Sequence, residues 1–279
     1  MKITLARRIE DNYRRQLEAI INRFLRVPPS STMAHLQGAL DEFEKATSFL
    51  EEYAALASRN MVTGVAESTA RNWRQAVRDS GRGQELHDLL AHELKGPVGA
   101  KLRSIVRDNA KLVGSIPRET RHMMTDEIGA MQRAGERPEA IARYMTQRMP
   151  RLAINTARLI ARTETSKAAT AVTKARSDEL GLRYYIWHTG GDARVRYSHR
   201  HMDGVLVPWG DPPAPEALVG IKSKLGHYAA GDAPNCRCIP LPVLSSDDVE
   251  WPAKVYRGGA IRRMSRREFE SGFKISRVA

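Results

Sequence analysis

Three histidines and the chain's two cysteines fall within a stretch of forty residues, with aspartates close by. Asp192-Ala-Arg-Val-Arg-Tyr-Ser-His199-Arg-His201-Met-Asp203-Gly204 precedes a Pro/Gly-rich segment, and Pro234-Asn235-Cys236-Arg237-Cys238 closes it. Imidazole and thiolate donors in that number could build one tetrahedral zinc site from Cys236, Cys238, His199 and either His201 or His227. A second chemistry, metal-dependent hydrolysis, would draw on Asp192, His199, His201 and Asp203. It requires carboxylates converging on one metal with an open position, and the glycine-rich flanks give no spacing that implies convergence. The cysteines cannot staple the fold, because a bridge between two cysteines separated by one residue closes a strained small ring. They stay as thiols or bind metal, and a reducing compartment fits both. Asp192 through Arg196 reads as an extended run whose side chains alternate between faces, and Asp203-Gly204 as a turn into a strand.

Upstream, Ala161-Arg162-Thr163-Glu164-Thr165 lies in a helical pattern. Residues two apart on a helix point in different directions, so Arg162 and Glu164 each need another partner. The simplest role is a polar tie from the helix to the residues that follow, with Arg162 or Glu164 meeting Asp192 or Arg194. Arg162, Glu164 and Thr165-Ser166 are distantly similar to the dispersed Arg, Ser-Thr-Ser and Glu-x-Glu of ADP-ribosyltransferases, but their order and separations do not match.

Taken in order, R-T-E, then D-x-R-x-R-x-x-H-x-x-x-D-G, then N-C-R-C resemble the minor head proteins of tailed bacteriophages, the Mu-F-like head-morphogenesis family, over roughly residues 137–244. The resemblance implies that Arg162, Glu164, Asp192, Arg194, His199, Asp203, Gly204, Asn235, Cys236 and Cys238 form a structural signature with no catalytic residue. It also implies a minor capsid protein of the virion head, made in the host bacterial cytoplasm. Such a protein sits at the portal vertex and supports head assembly and DNA packaging or ejection. Its partners would be the portal protein, the major capsid protein or both, and packaged double-stranded DNA. Neither enzyme activity nor a cofactor follows. Relatives carry C-x-x-C where this chain has Arg196 and His199, and a guanidinium cannot bind a cation. The metal set of Cys236, Cys238, His199 and His227 therefore reads second to a packed, hydrogen-bonded element in which the cysteines are small buried hydrophobes. The alternative function is a nucleic-acid-acting enzyme, a metal-dependent nuclease or a toxin-like transferase.

The elements that must position these residues read as α+β, predominantly α. Leu5, Ile9, Tyr13, Leu17, Ile20 and Phe24 recur at helical spacing up to Val27-Pro28-Pro29, and Met33 through Leu56 repeat the pattern after the cap candidates Ser30, Ser31 and Thr32. Further helices are expected at 62–79, 84–95 and 98–113, then short ones opened by Pro117 and Pro138, and a longer one from Pro150 to about Leu180. Strands are expected at 182–187, 204–209 and 238–243, the last confined to a sheet edge by its prolines. The resulting division is a helical assembly and portal-binding scaffold over 1–150, a small α+β module over 151–244 and a basic tail over 245–279.

Charge points to a polyanion. Forty-five Lys and Arg against thirty-two Asp and Glu leave a net +13, and a surplus of that size draws nucleic acid by counterion release. From Trp251 onward eight basic residues face two acidic ones, which reads as an arm whose Arg257, Arg262, Arg263, Arg266 and Arg267 contact DNA phosphates without reading sequence. No recognised base-reading module is present, no apolar run suggests a membrane span, and the charged first residues do not resemble a signal peptide. No internal repeat is found.

Overall fold

The computed structural model describes residues 7–28, 32–78, 88, 90, 92, 93 and 95–272. They group into two compact units, each assembled from separated stretches: 7–63 with 103–164, and 64–102 with 165–272.

The first unit is helical. In α1 (Arg7–Phe24) Tyr13, Leu17 and Ile21 form one buried stripe. The chain re-enters helix at α2 (Met33–Lys45), where Thr32 and His35 make a reciprocal capping box. The single helix expected over 33–56 breaks at Ala46, whose N–H turns back to Glu42 O while the Thr47 hydroxyl donates to Glu44 O at 2.7 Å. A new helix, α3 (Thr47–Arg78), then runs on without the separate start expected at 62. The helix expected over 84–95 lies largely outside the described residues.

Two shorter helices follow, α4 (Pro97–Gly114) and α5 (Ile116–Arg133), with Pro97 and Pro117 in first-turn positions. Cross-links hold the unit: Tyr13 and Ser58 share a buried 2.9 Å hydrogen bond, Arg148 forks onto Glu127, and Arg121 pairs with Asp41 and Glu44.

The last long helix corrects the expected boundary at 150. α6 (Pro138–Glu179) runs for 42 residues straight through Pro150. Ile141, Met145, Met149, Leu152, Ala153, Ala157 and Ala161 are all buried, so one apolar stripe continues across the proline, and burying it outweighs the one ladder hydrogen bond that proline removes. The compact units divide at 164/165 instead, within the same helix.

In the second unit α6 carries Arg176, which is fully buried. Its guanidinium binds both oxygens of Glu93 at 2.9 Å, Thr69 Oγ1 at 2.6 Å and Ala66 O at 3.1 Å. All three guanidinium nitrogens are thereby engaged, through four hydrogen bonds and an ion pair, the condition under which a buried charge is tolerated.

Beyond Gly181 the chain builds a five-stranded sheet in the order β3-β1-β2-β4-β5, with β1 (Tyr184–His188), β2 (Leu206–Pro208), β3 (Ile239–Pro242), β4 (Ala253–Arg257) and β5 (Ala260–Met264). The proline-bearing β3 lies at an edge, as its sequence requires. All neighbours are antiparallel except β2 and β4. Strand alternation sends Tyr185, Trp187, Val207 and Tyr256 to one face, and Tyr184, Leu206, Ala253 and Val255 to the other, where Phe269 of the short helix Arg266–Gly272 packs.

The residues read as a basic arm are therefore folded up to 272. Gly258 and Gly259, both with positive φ (55° and 80°), make a two-residue hairpin turn between β4 and β5, the conformation that favours paired glycines. Lys274 and Arg277 lie outside the described residues.

Candidate metal centre

The first face of the sheet carries the candidate site. Trp187 of β1 stands at 5.5 Å, edge to face, from the ring of His199, which belongs to a single helical turn, α7 (Tyr197–His201). Asp203-Gly204 then forms the expected turn: Gly204 has φ of 75°, and its N–H donates to Trp187 O at 2.9 Å. The Asp203 carboxylate accepts from the N–H and the hydroxyl of Thr189, at 2.8 and 2.9 Å.

His199 Nδ1 faces both cysteines, 3.5 Å from Cys236 Sγ and 3.4 Å from Cys238 Sγ. All three residues are buried, between 2% and 3% exposed. Their loop owes its shape to Asn235, a non-glycine residue at φ 57°, a conformation that asparagine tolerates better than most. The Cys236 N–H closes a turn on Ala233 O at 3.0 Å, and the Cys238 N–H donates to Cys236 Sγ at 3.4 Å.

A hydrogen bond from the Cys238 thiol pulls Cys236 well below the usual thiol range, to about 4; burial opposes this and His199 adds to it. The same bond and the same burial push Cys238 upward.

The other ring nitrogen of His199 leads into a buried relay. Nε2 lies 2.9 Å from Tyr228 Oη, which donates to both oxygens of Glu216 at 2.8 and 2.7 Å. The Ser198 hydroxyl also donates to Glu216, at 3.0 Å. Burial works to raise the Glu216 pKa, yet the hydroxyl donors Tyr228 and Ser198 hold it below the usual carboxylate range. Tyr228 must donate to that carboxylate, so its oxygen is left to accept from His199 Nε2–H. In the neutral ring the proton is thus on Nε2, and the Nδ1 lone pair points at the sulfurs.

The remaining signature residues fall elsewhere. Arg162 pairs with Glu10 at 3.3 Å, not with Asp192 or Arg194. Asp192 is held by Arg237 at 2.9 Å and by Arg194 at 3.6 Å, and its side chain accepts from the Arg194 N–H. Residues 192–196 are consequently turns, not the extended run expected, because an aspartate that bonds its own backbone two residues on makes a local turn. Arg196 donates to Pro234 O at 2.6 Å and so clasps the loop that leads into Cys236. His201 and His227 are exposed, and His227 Nδ1 is bonded to Pro212 O at 2.8 Å; neither joins His199 and the cysteines as a fourth donor. Among the described residues, His199, Cys236 and Cys238 are the group whose potential ligand atoms converge within 4.8 Å. Asp192 and Asp203 do not join it.

Gly231, Tyr228 and Glu216 were not singled out as site residues from sequence. Gly231 sits at φ 96°, where an added Cβ would meet Thr170 Oγ1 at 2.3 Å and Cys238 O at 3.0 Å. Beside it Thr170 Oγ1 donates to Ala230 O at 2.7 Å. The loop carrying Tyr228 and the cysteines thus docks on the small residues that follow the R-T-E element in α6.

Comparison with known proteins gives this arrangement a context. Residues 122–240 match the family described as Phage Mu protein F like protein. A Haemophilus influenzae protein of uncharacterized function is 27% identical over 193 residues, which are 68% of this chain and 40% of that protein. The Minor head protein GP7 of Bacillus phage SPP1 is 30% identical over 118 residues, 41% of this chain and 38% of that one. The chain thus spans about two fifths of the length of the curated relatives it matches. No solved structure matches.

Proposed function

We propose, from the match of residues 122–240 to the Mu-F-like family, a protein of phage head morphogenesis, a minor component of the virion head associated with the portal vertex. The family match carries this reading, and the likeness to a phage minor head protein over 118 residues supports it. Its partners are the portal protein or the major capsid protein, and its helical residues serve as the assembly scaffold. A density map of the portal vertex in heads that contain the chain tests this; a position on the outer capsid lattice, away from the portal, would sink it.

Packaged DNA is the second proposed partner. Arg262 and Arg263 lie exposed on the edge strand β5, with Arg257 and Lys254 on β4 and Arg267 just beyond. Lys254 and Arg263 are direct cross-strand partners, an opposition of like charges that destabilises an isolated hairpin and is relieved by a bound anion. Arg266 is a weaker candidate than expected, because it is drawn into pairs with Asp247 and Glu270. Arginines on an edge strand also guard it against pairing with other chains. Replacing Arg257, Arg262, Arg263 and Arg267 by Gln separates the roles. DNA contact predicts weaker binding to any duplex and a log-log salt slope shallower by up to about 0.9 per lost contact. Unchanged binding with increased self-association would leave the arginines only a guarding role.

No enzymatic step is needed for this function. The alternative, a metal-dependent nuclease, is disfavoured by the geometry at Asp192 and Asp203, which are tied to Arg237 and Thr189 and do not converge with His199. DNA cleavage by purified protein that is abolished by chelator would revive it.

A further inference from the structure

We propose that His199, Cys236 and Cys238 bind a structural transition-metal ion of the zinc class, with Tyr228 and Glu216 as the relay that fixes the imidazole for it. The decisive observation concerns valence. A neutral imidazole Nδ1 has one lone pair and can accept one thiol hydrogen bond, yet two sulfurs lie almost equidistant from it, at 3.5 and 3.4 Å. One hydrogen bond to Nδ1 accounts for one of these sulfurs, not for both. A common centre does: zinc bonds of about 2.3 Å to sulfur and about 2.0–2.1 Å to nitrogen, at tetrahedral angles, separate N from S by about 3.6 Å.

The surroundings are those such a centre requires. The lone pair aimed at the sulfurs is the one a metal would take. The opposite nitrogen donates, through Tyr228, toward the Glu216 carboxyl group, the usual support of a metal-bound imidazole. The Cys238 N–H to Cys236 Sγ bond stabilises a thiolate. Burial beneath Trp187, Met202 and Trp209 shields the centre from bulk water. Among the described residues no fourth protein donor joins these three. Arg196, which weighed against metal in the sequence, is engaged with Pro234 O and shapes the loop that carries the ligands.

The test uses the full chain, purified without chelator, with elemental analysis and with cobalt(II) added to reduced, metal-stripped protein. The expected results are zinc bound at one ion per chain and cobalt spectra with thiolate charge-transfer and tetrahedral d–d bands. His199→Ala and Cys238→Ser should lose both, while His201→Ala and His227→Ala should keep both. Tyr228→Phe preserves the ring and the fold but removes the relay, and should weaken metal affinity 10- to 100-fold. Should the cysteine variant fail to fold, the wild-type cobalt spectrum and the Tyr228→Phe affinity still decide. Wild-type protein that holds no zinc and gives no thiolate charge-transfer band overturns the proposal. Tyr228→Phe with unchanged affinity overturns the relay, and loss of metal in His227→Ala overturns the ligand set.

Discussion

Asp232 lies in the loop between Tyr228 and the cysteines, and burial pushes its carboxyl up to about 6, against the Ala229 backbone and the nearby Lys167. Its folded pKa exceeds its unfolded one, so the folded state holds the proton more tightly. Its contribution to stability is therefore best at low pH and is lost as pH rises from about 4 through about 6. Replacing it by Asn removes a charge that is costly only when ionised. Asp232→Asn should raise stability by about 1–2 kcal/mol at pH 8 relative to wild type and leave it nearly unchanged at pH 4. Denaturant titrations at the two pH values check this, and an equal effect at both would show that the carboxyl is not strained by burial. At this scale His199, Cys236 and Cys238 were legible in the sequence, because donor types announce themselves. Tyr228 and Glu216 were not, since a tyrosine and a glutamate in a Pro/Gly-rich stretch carry no spacing that links them to a histidine 29 and 17 positions away.

Among the elements, the docking of the 228–238 loop on α6 turns on Gly231. An alanine there must both hold a left-handed φ and displace Thr170 Oγ1. Gly220 offers a control, with a similar φ of 73° but nothing within 4 Å of its added Cβ. Gly231→Ala should cost about 2–4 kcal/mol and Gly220→Ala about 1 kcal/mol, measured by urea unfolding. Equal costs would mean that close packing is not what demands the glycine. Helical periodicity carried α1 and α4 directly into the structure. Pro150 misled because a proline reads locally as a start, whereas the apolar stripe on either side of it decides. The β4–β5 hairpin was missed because its charge drew attention away from the alternation of Ala253, Val255 and Arg257 and from the Gly258-Gly259 turn.

For the whole molecule, the interleaving of the units argues against an autonomous 1–150 fragment. It would contain 64–102 without 165–272, and 103–150 without the rest of the stretch that ends at 164. Expressed alone it should retain helical circular dichroism but unfold broadly, without the sharp transition of the full chain. A cooperative melt would restore 150 as a real boundary. Because α3, α4 and α6 each run through the division, the chain passes between units three times within the described residues. Emerging from a ribosome in order, residues 64–102 must wait for everything up to the sheet before their own unit can close. Those helices are left with apolar faces uncovered during synthesis, the interval when a partner already present or a chaperone has most to protect.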